Sequence, residues 1–372
     1  MQIDRLSLRG FRNYEDAQAQ FVPGVNLLVG GNANGKTNLL EAVSYLSTGR
    51  SFRTRREAEL IRFGADFAEL RAQVQSQERT RELRAVLFSG RRPRQLWLAG
   101  VKQRSRAALS GVLTSVLFCP EDLMILKKGA SGRRRLMDGV ICQLRPNYEA
   151  ALAEYGRLLD QKSALLRERY DNPSLLQVLP EYDLRMAQTG ALVISYRARY
   201  VKALAQEAAR YHREFSGDSE SLELTYRTVS TVTDPFAPPE TLCAQLQEHQ
   251  RSHARAELES AQCLSGPHKD DFEAVINGLP VAQFASQGQT RTAVISLKLA
   301  ERALLRQGTG ETPVLLLDDV LSELDLSRQK RLLDFCDRVQ IILTATHIDE
   351  ELIRGREYAE FRLKNGVVAR IK

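Results

Sequence analysis

Hydrophobic and polar positions divide this 372-residue chain into two regions of mixed helix and strand with a helical stretch between them. Near the N-terminus, alternation over 3–8 and a continuous apolar run over 25–29 predict strands, and a helical period follows from Lys36 to about Leu46. Further segments predict an antiparallel β layer and then two late strands. These segments are 67–74, 81–87 and 95–98 for the layer, and 314–317 and 341–344 for the late strands.

The middle of the chain is rich in Leu, Ala, Arg and Glu at helical spacing. Pro173 and Pro180 interrupt this period, so it predicts two helices, over about 132–171 and 181–214, and not one long rod. Prolines at 235, 238 and 239 mark a second boundary before another helix. The further predicted helices run from there to about Ser260, over 289–307 and over 326–338. We therefore predict an α/β fold of two lobes, one of them mainly helical.

Composition narrows the class of protein. With 43% apolar and 27% charged residues, the chain has the profile of a soluble globular protein. No apolar run approaches the roughly 20 residues that span a bilayer, and the first residues lack the apolar stretch of a signal peptide. The five cysteines are scattered without a CxxC pair, which is typical of reduced thiols and gives no sign of a metal site. We expect a cytoplasmic protein.

The chain is basic, with a formal net charge of +7 and a pI near 9.2. Cationic residues cluster within 50–56, 91–94, 102–106 and 127–135. A single cluster is more often a solvated face, but the recurrence of such clusters within one third of the chain fits a nucleic-acid partner and a solvated face equally well. No base-reading motif is present, so sequence-specific binding is not expected.

A phosphate-binding loop separates the second predicted strand from the first predicted helix. It fits G-x-x-x-x-G-K-[ST], in which glycines let the backbone wrap phosphates and helix N–H groups point at negative charge. Lys36 is expected to reach the β- and γ-phosphates and Thr37 to coordinate Mg²⁺. A plain glycine-rich turn is the alternative, but the flanking strand and helix favour ATP with Mg²⁺. The predicted cradle consists of Gly30, Gly31, Asn32, Ala33, Asn34, Gly35, Lys36, Thr37 and Asn38.

Two acidic residues follow the apolar run at 314–317. A buried strand that ends in two carboxylates needs a cation or water to receive them, although a plain acidic turn is the alternative. We expect Asp318 to bind Mg²⁺ and Asp319 to polarise the attacking water. Lys36 and Asp318 stand near opposite ends of the chain, so the fold has to bring two halves of one site together.

Three shorter motifs accompany these two. Ser286, Gly288 and Gln289 precede a predicted helix, where they form either an ordinary N-cap or a second anion site. At this spacing before the acidic strand, they resemble the signature motif of ABC-type ATPases. Asp325 matches the D-loop of those ATPases. His347, otherwise a capping or core histidine, matches their switch histidine, which would contact the γ-phosphate and join Lys36 and Asp319 as a catalytic residue.

In order and over nearly the whole chain, these motifs resemble the SMC-like branch of the ABC ATPases, and within it the RecF family of bacterial DNA replication and repair proteins. The resemblance implies an SMC-head-like ATPase lobe of 1–116 plus 290–372 and a mainly helical lobe of 117–289 that carries the signature motif. The helical insert is far too short for the long coiled coil of true SMC proteins. The segments that carry the resemblance are 8–14, 49–54, 118–123, 266–271 and 317–325.

The resemblance also implies partners. Two copies would sandwich two ATP molecules, with each P-loop facing Ser286 and Gly288 of the other copy, and the dimer would bind double-stranded DNA and single-strand/double-strand junctions. The family acts in recombinational repair with RecR and RecO, and it promotes RecA loading on single strands coated with SSB. Most ABC ATPases have Glu where this chain has Asp319, so we expect weak, DNA-stimulated hydrolysis. By similarity Arg12 lies near the phosphates. The arginines predicted to contact the nucleotide or DNA phosphates are Arg50, Arg53, Arg55 and Arg56.

Three alternatives stay open. A transporter ATPase subunit is disfavoured by the wide separation of the P-loop from Asp318 and by the Ser-Gln-Gly-Gln form of the signature. An SMC-like nuclease would need further clustered carboxylates or histidines, and Asp270 with Asp271 is the only spare pair near a motif. A scaffold that merely retains nucleotide is disfavoured by the intact Lys36. His268, Lys269 and Asp270 could link the signature helix to the nucleotide or could form a structural turn.

Overall fold

The structure is a computed structural model that describes residues 1–54, 56–76, 79–169, 173–335, 339–345 and 350–372. Arg55 and His347 lie outside these ranges, so their predicted roles stay predictions. Within the described ranges, every helix is too short or too polar to span a membrane.

Six strands form a sheet in which every neighbouring pair is antiparallel. They are β1 (Gln2–Phe11), β2 (Tyr14–Gln20), β4 (Phe67–Ser76), β5 (Arg79–Phe88), β6 (Gln95–Leu98) and β7 (Val101–Gln103). Their order across the sheet is β2-β1-β4-β5-β6-β7. Alternate side chains such as Ile3, Leu70 and Leu83 are buried, which is the one-sided burial expected of antiparallel strands. The predicted antiparallel layer is therefore confirmed.

A second sheet of six strands is mostly parallel. Its strands are β3 (Val25–Val29), β8 (Ser115–Phe118), β12 (Val314–Asp318), β13 (Ile341–Ala345), β14 (Tyr358–Lys364) and β15 (Val367–Arg370). The order is β15-β14-β3-β13-β12-β8, and only the β14–β15 pair is antiparallel. Parallel strands are covered on both faces, which is why β12 and β13, apolar except for Asp318 and Thr344, are buried at every residue.

Helix α1 (Lys36–Thr48) lies between the two sheets. One buried cluster joins Leu39 and Val43 of α1 to Leu70 of the antiparallel sheet and to Leu28 and Leu316 of the mostly parallel sheet. The opposite face of the mostly parallel sheet packs in a separate cluster with the middle of the chain. The start of α1 consequently sits at the edge of the sheet where the parallel strands end.

Helices and a small sheet make up the rest. The helices are α2 (Ala130–Leu144), α3 (Pro146–Glu168), α4 (Leu179–Ser216), α5 (Pro239–Ser260), α6 (Val281–Phe284), α7 (Gln287–Thr309), α8 (Leu326–Asp334) and α9 (Glu350–Ile353). The small antiparallel sheet contains β9 (Leu222–Arg227), β10 (Asp271–Ile276) and β11 (Leu279–Pro280). The long helix α4 packs against α3, α5 and α7, so it connects the helical region to the helix that follows Ser286.

The structure differs from the sequence prediction in two respects. The helix predicted over 132–171 is two helices, because Pro146 starts α3 and forces Arg145 into an extended conformation with φ −131°. The small sheet and strands β2, β7, β8, β14 and β15 were not predicted. Strands β8, β9 and β14 pair with segments far apart in sequence, so no local pattern indicates those pairings. The predicted lobe boundaries fall inside β8 and in the first turn of α7. The division into two lobes stays a prediction.

Candidate nucleotide site

The predicted phosphate-binding loop connects β3 to α1 through a left-handed glycine. Gly35 has φ 96°, and a Cβ there would lie 2.6 Å from the Asn13 amide nitrogen and 2.8 Å from the Tyr14 hydroxyl. Only glycine fits this conformation without strain. The Tyr14 hydroxyl donates to the Gly35 carbonyl at 2.8 Å, which fixes the entry into the helix.

The Lys36 ammonium folds back over the loop. Its Nζ donates to the carbonyl oxygens of Gly30 and Gly31, the second at 3.3 Å. Asn38, two residues further, donates to Asn13 Oδ1 at 2.7 Å and accepts from Arg53 at 2.7 Å. The side chain that the sequence assigns to phosphate is thus held at the mouth of the loop.

Arg12 is paired with Glu41, one turn beyond Asn38 on the same face of α1. It has a left-handed φ of 54°, and its Nε and Nη2 each donate to the Glu41 carboxylate at 2.8 Å. Nη1 donates to the Glu59 carbonyl at 2.8 Å. Glu41 is fully buried, so this bidentate contact supplies the counter-charge that a buried carboxylate needs. The contact holds the backbone that carries Asn13 against Gly35.

The two distant halves of the predicted metal site meet at the end of β12. The Thr37 hydroxyl donates to Asp318 Oδ1 at 2.9 Å, and the Thr344 hydroxyl at the end of β13 donates to the same oxygen at 2.9 Å. Burial raises the pKa of Asp318, and the two hydroxyl hydrogen bonds oppose that rise by stabilising the carboxylate. Neighbouring parallel strands bring these residues together.

Asp319 follows in a strained turn. Its φ is 52°, in the left-handed region that non-glycine residues rarely adopt, and its side chain is exposed. Its N–H donates to the Thr344 hydroxyl at 2.9 Å, and its carbonyl accepts from Ser322 at 2.7 Å. The turn points the Asp319 carboxylate away from the buried Asp318 and toward solvent.

The turn after β8 also borders the acidic end of β12, although no role at the site was predicted for it. The negative charge of Glu121 contributes to the raised pKa of Asp318. Asp122 forms a 3.3 Å ion pair with Lys298 of α7, and Lys127 donates to the Ala285 carbonyl at 2.7 Å. The turn therefore connects the acidic end of β12 to the start of α7. The signal was available, since acids follow the apolar run 116–118 just as Asp318 and Asp319 follow 314–317.

The predicted signature residues form an N-cap. The Ser286 hydroxyl accepts from the Gln289 N–H at 3.2 Å, and Gln289 Oε1 accepts from the Ser286 N–H at 2.9 Å. This capping box was one of the two readings of the sequence. Ser286 is exposed, and no hydrogen bond or ion pair among the described residues connects Ser286, Gly288 or Gln289 to the loop 30–37 or to Asp318.

Asp325 and the predicted arginines have separate local partners. Asp325 caps α8 by accepting from the Arg328 N–H at 2.9 Å. Arg53 lies 3.6 Å from Glu41, Arg50 lies 3.8 Å from Glu149, and Arg56 is exposed. Arg53 is therefore near the nucleotide loop, whereas Arg50 faces α3.

The segment 266–271 forms a buried turn. Asp270 is fully buried and accepts from Arg197 at 2.9 Å, from Thr228 at 2.7 Å and from Tyr226. His268 lies between the Tyr155 hydroxyl, at 2.6 Å, and the Cys263 carbonyl, at 2.9 Å. These contacts fit the structural alternative for this segment, because every partner lies in the helical region or the small sheet.

Comparison with known proteins covers the whole chain. The model of the RecF/RecN/SMC N terminal domain family matches residues 2–360. The "DNA replication and repair protein RecF" of Symbiobacterium thermophilum is 40% identical over 99% of this chain and 98% of its own length. The protein of the same description from Acetivibrio thermocellus is 35% identical over 97% of this chain and 96% of its own length.

Solved structures support the same family. A structure described as the recombination mediator protein RecF-ATPrS in the RecFOR pathway superposes with a TM-score of 0.90 at 31% identity, covering 100% of this chain and 98% of that one. The RecF-ATP structure gives 0.89 at 32% identity, covering 100% and 97%. An Smc head bound to the C-winged helix domain of ScpA, at 17% identity and a TM-score of 0.55, covers 100% and 97% and shares the fold alone. The predicted fold class, an SMC-head-like α/β ATPase fold with a mainly helical region, is confirmed.

Proposed function

Because this chain belongs to the RecF family, we propose that it is an ATP-dependent DNA-binding protein of recombinational repair that dimerises around ATP. ATP and Mg²⁺ are its cofactors, and hydrolysis to ADP and phosphate resets the dimer. The ATP-bound RecF relatives support the choice of nucleotide.

One observation carries the proposal, the 2.9 Å separation between Thr37 Oγ1 and Asp318 Oδ1. Mg²⁺ prefers octahedral oxygen ligands at about 2.0–2.1 Å, so neighbouring ligands stand about 2.9 Å apart. The two oxygens already have that spacing, although they come from opposite ends of the chain. Thr37 and Asp318 would hold Mg²⁺, which would supply positive charge to offset the negative charge that develops during hydrolysis.

The residues of this chain have separate roles in the proposed reaction. Lys36 leaves the loop carbonyls and binds the β- and γ-phosphates. Asp319 holds the water that attacks the γ-phosphorus, and the strained turn presents its carboxylate to solvent for that purpose. Its side chain is one methylene shorter than the glutamate of most ABC ATPases, which supports turnover well below the enzyme median of about 10 per second.

The proposed dimer places Ser286, Gly288 and Asp325 against the nucleotide of the other copy. The exposed position of Ser286, with no contact to its own phosphate loop among the described residues, supports a role in trans. His347 would contact the γ-phosphate in cis. The mainly helical lobe of 117–289 contains the signature motif and would place it at the nucleotide of the other copy.

DNA and protein partners follow from the relatives. The RecF structures belong to the RecFOR pathway, which supports RecR and RecO as partners and a role in loading RecA on SSB-coated single strands. The net charge of +7 supports binding to DNA phosphates in duplexes and at single-strand/double-strand junctions. Arg50, Arg53, Arg55 and Arg56 are proposed contacts with the nucleotide or DNA phosphates.

A decisive experiment measures molar mass by light scattering with and without ATP, using wild type, Lys36→Arg and Ser286→Arg. We expect ATP to double the wild-type mass from 41.9 kDa, and neither variant to respond. A wild type that stays monomeric, or a Ser286→Arg protein that dimerises normally, would refute the dimer. DNA affinity measured by anisotropy should need ATP and fall steeply with salt.

The nuclease alternative finds no support in the described part of the chain. No group of three His, Cys, Asp or Glu side chains there is arranged to hold a metal. Asp270, one of the spare acids noted in the sequence, is enclosed by Arg197, Tyr226 and Thr228. ATP hydrolysis without DNA cleavage is the expected outcome of an assay with both substrates.

A further inference from the structure

The guanidinium of Arg328 lies against the signature glycine of its own chain. A Cβ built on Gly288 would be 3.4 Å from Arg328 Nη2, an ordinary van der Waals distance, so the guanidinium lies directly beside this glycine. Arg328 Nε donates to the Thr292 hydroxyl, one turn further along α7, at 3.2 Å. The arginine comes from the first turn of α8, directly after the D-loop segment.

The charge of Arg328 is only lightly engaged. Its Nη1 pairs with Asp325 Oδ2, whose side chain is 50% exposed, and its own side chain is 32% exposed. Its Nη2 has no hydrogen-bond partner among the residues described in the structure. An exposed carboxylate is a weak partner, since surface ion pairs contribute about 0–1 kcal/mol. A more highly charged anion at Gly288 would therefore attract Arg328 away from Asp325.

No hydrogen bond or ion pair among the described residues connects Arg328 to the phosphate loop 30–37 or to Asp318 of its own chain. Besides Thr292, it contacts Gly288 and Asp325, two residues that the proposed function assigns to the nucleotide of the other copy. Arginine suits this role because its planar fork offers several donors to phosphate oxygens.

From these contacts we infer that Arg328 is a phosphate-binding residue acting in trans: in the ATP-bound dimer, it exchanges Asp325 for the terminal phosphate of the nucleotide held by the partner's P-loop. This inference rests on the proposed ATP-bridged dimer and adds to it a cationic group that lies outside the predicted motifs. The exchange also frees Asp325 Oδ2, while Oδ1 still caps α8, so one movement changes the contacts of both Gly288 and the D-loop residue Asp325.

The alternative is that Arg328 only holds α7 and the D-loop together, through Thr292 and Asp325. The chain contains a matched control for that structural role. Arg291 of α7 pairs with Glu323 at 3.2 Å, and its side chain is 36% exposed. Arg291→Gln removes a link of the same kind between the same elements. Arg328→Gln should weaken ATP-dependent dimerisation about 10- to 100-fold, equivalent to about 1.4–2.8 kcal/mol, while Arg291→Gln stays near wild type. Arg328→Lys, which keeps the charge but not the fork, should fall between them.

Mixed dimers test the direction of the contact. Lys36→Ala lacks a working P-loop but has Arg328, and Arg328→Gln has a working P-loop but lacks the arginine. If Arg328 acts in trans, mixing the two proteins creates one complete site per mixed dimer, and phosphate release rises above that of either protein alone. If Arg328 acts on its own P-loop, no complete site forms and the mixture stays as inactive as its components.

Each outcome decides the inference. Binding of a fluorescent ATP analogue to the Arg328→Gln monomer, together with its circular dichroism, establishes that the variant is folded; if it is not, Arg328→Lys replaces it in the mixture. A wild type that dimerises while Arg328→Gln equals Arg291→Gln overturns the inference and leaves the proposed function intact. A mixture without recovery also overturns it. A wild type that never dimerises overturns the proposed function and the inference together.

Discussion

Replacing Thr344 by valine removes one hydroxyl from the centre of the proposed metal site and keeps the shape of the side chain. Thr344 is 1% exposed, and its Oγ1 donates to Asp318 and accepts from the Asp319 N–H, each at 2.9 Å. Valine preserves the β-branched form that suits strand β13. The substitution therefore isolates the two hydrogen bonds.

The magnitude follows from the two lost bonds. A hydrogen bond to a charged group contributes about 1.5–3 kcal/mol, and an orphaned buried N–H costs about 1–3 kcal/mol. Partial rehydration near exposed Asp319 reduces the sum, so we expect Thr344→Val to lower the free energy of unfolding by about 2–4 kcal/mol. Thr344→Ser keeps both bonds and loses one methyl group, which should cost only about 1 kcal/mol.

Urea unfolding compares the two variants, and phosphate release measures the effect on chemistry. Thr344→Val should lower the hydrolysis rate more than tenfold, because the turn that presents Asp319 loses its anchor and Asp318 loses one donor that stabilises its charged form. Binding of a fluorescent ATP analogue should change less, since Lys36 and the loop are untouched. If Thr344→Ser is as unstable as Thr344→Val, packing of the methyl group and not hydrogen bonding holds this edge, and the reasoning is wrong.

Two further predictions concern stability away from the reacting atoms. Burial raises the pKa of Glu301 to about 7 from its usual value near 4.5, so the folded state holds the proton more tightly and stability falls as pH rises through that window. Glu301→Gln should remove this component, which amounts to at most about 1.4 kcal/mol per pH unit. Urea unfolding at pH 5 and 8 measures it, and an equal pH dependence in wild type and variant would contradict the prediction. At Gly49, which has φ +63°, a Cβ would lie 1.8 Å from the Arg106 side chain, which pairs with Glu149. Gly49→Ala should therefore lower the free energy of unfolding by about 2–5 kcal/mol. Gly64→Ala, at φ +83° with open space around it, should cost about 1–2 kcal/mol from backbone strain alone, and equal losses in the two variants would exclude the clash.

The sequence by itself determined the parts of the site whose physical requirements are local. The loop 30–37 needs a preceding apolar strand, a left-handed glycine and a helix start, and all three occur within a short stretch around Gly35. The buried strand β12 and its acidic end are readable from one apolar run for the same reason. Ser286 at the start of α7 was also readable, because a capping box depends only on residues three positions apart.

Only the tertiary structure decided which of these pieces meet. The order β3-β13-β12-β8 brings Thr37, Asp318 and Thr344 together, and adjacency between strands so distant in sequence leaves no local pattern. The same order adds Glu121 to the site, although its motif had suggested family membership alone. The contact of Arg328 with Gly288 depends on how α8 packs against α7, which the periodicity of either helix cannot specify.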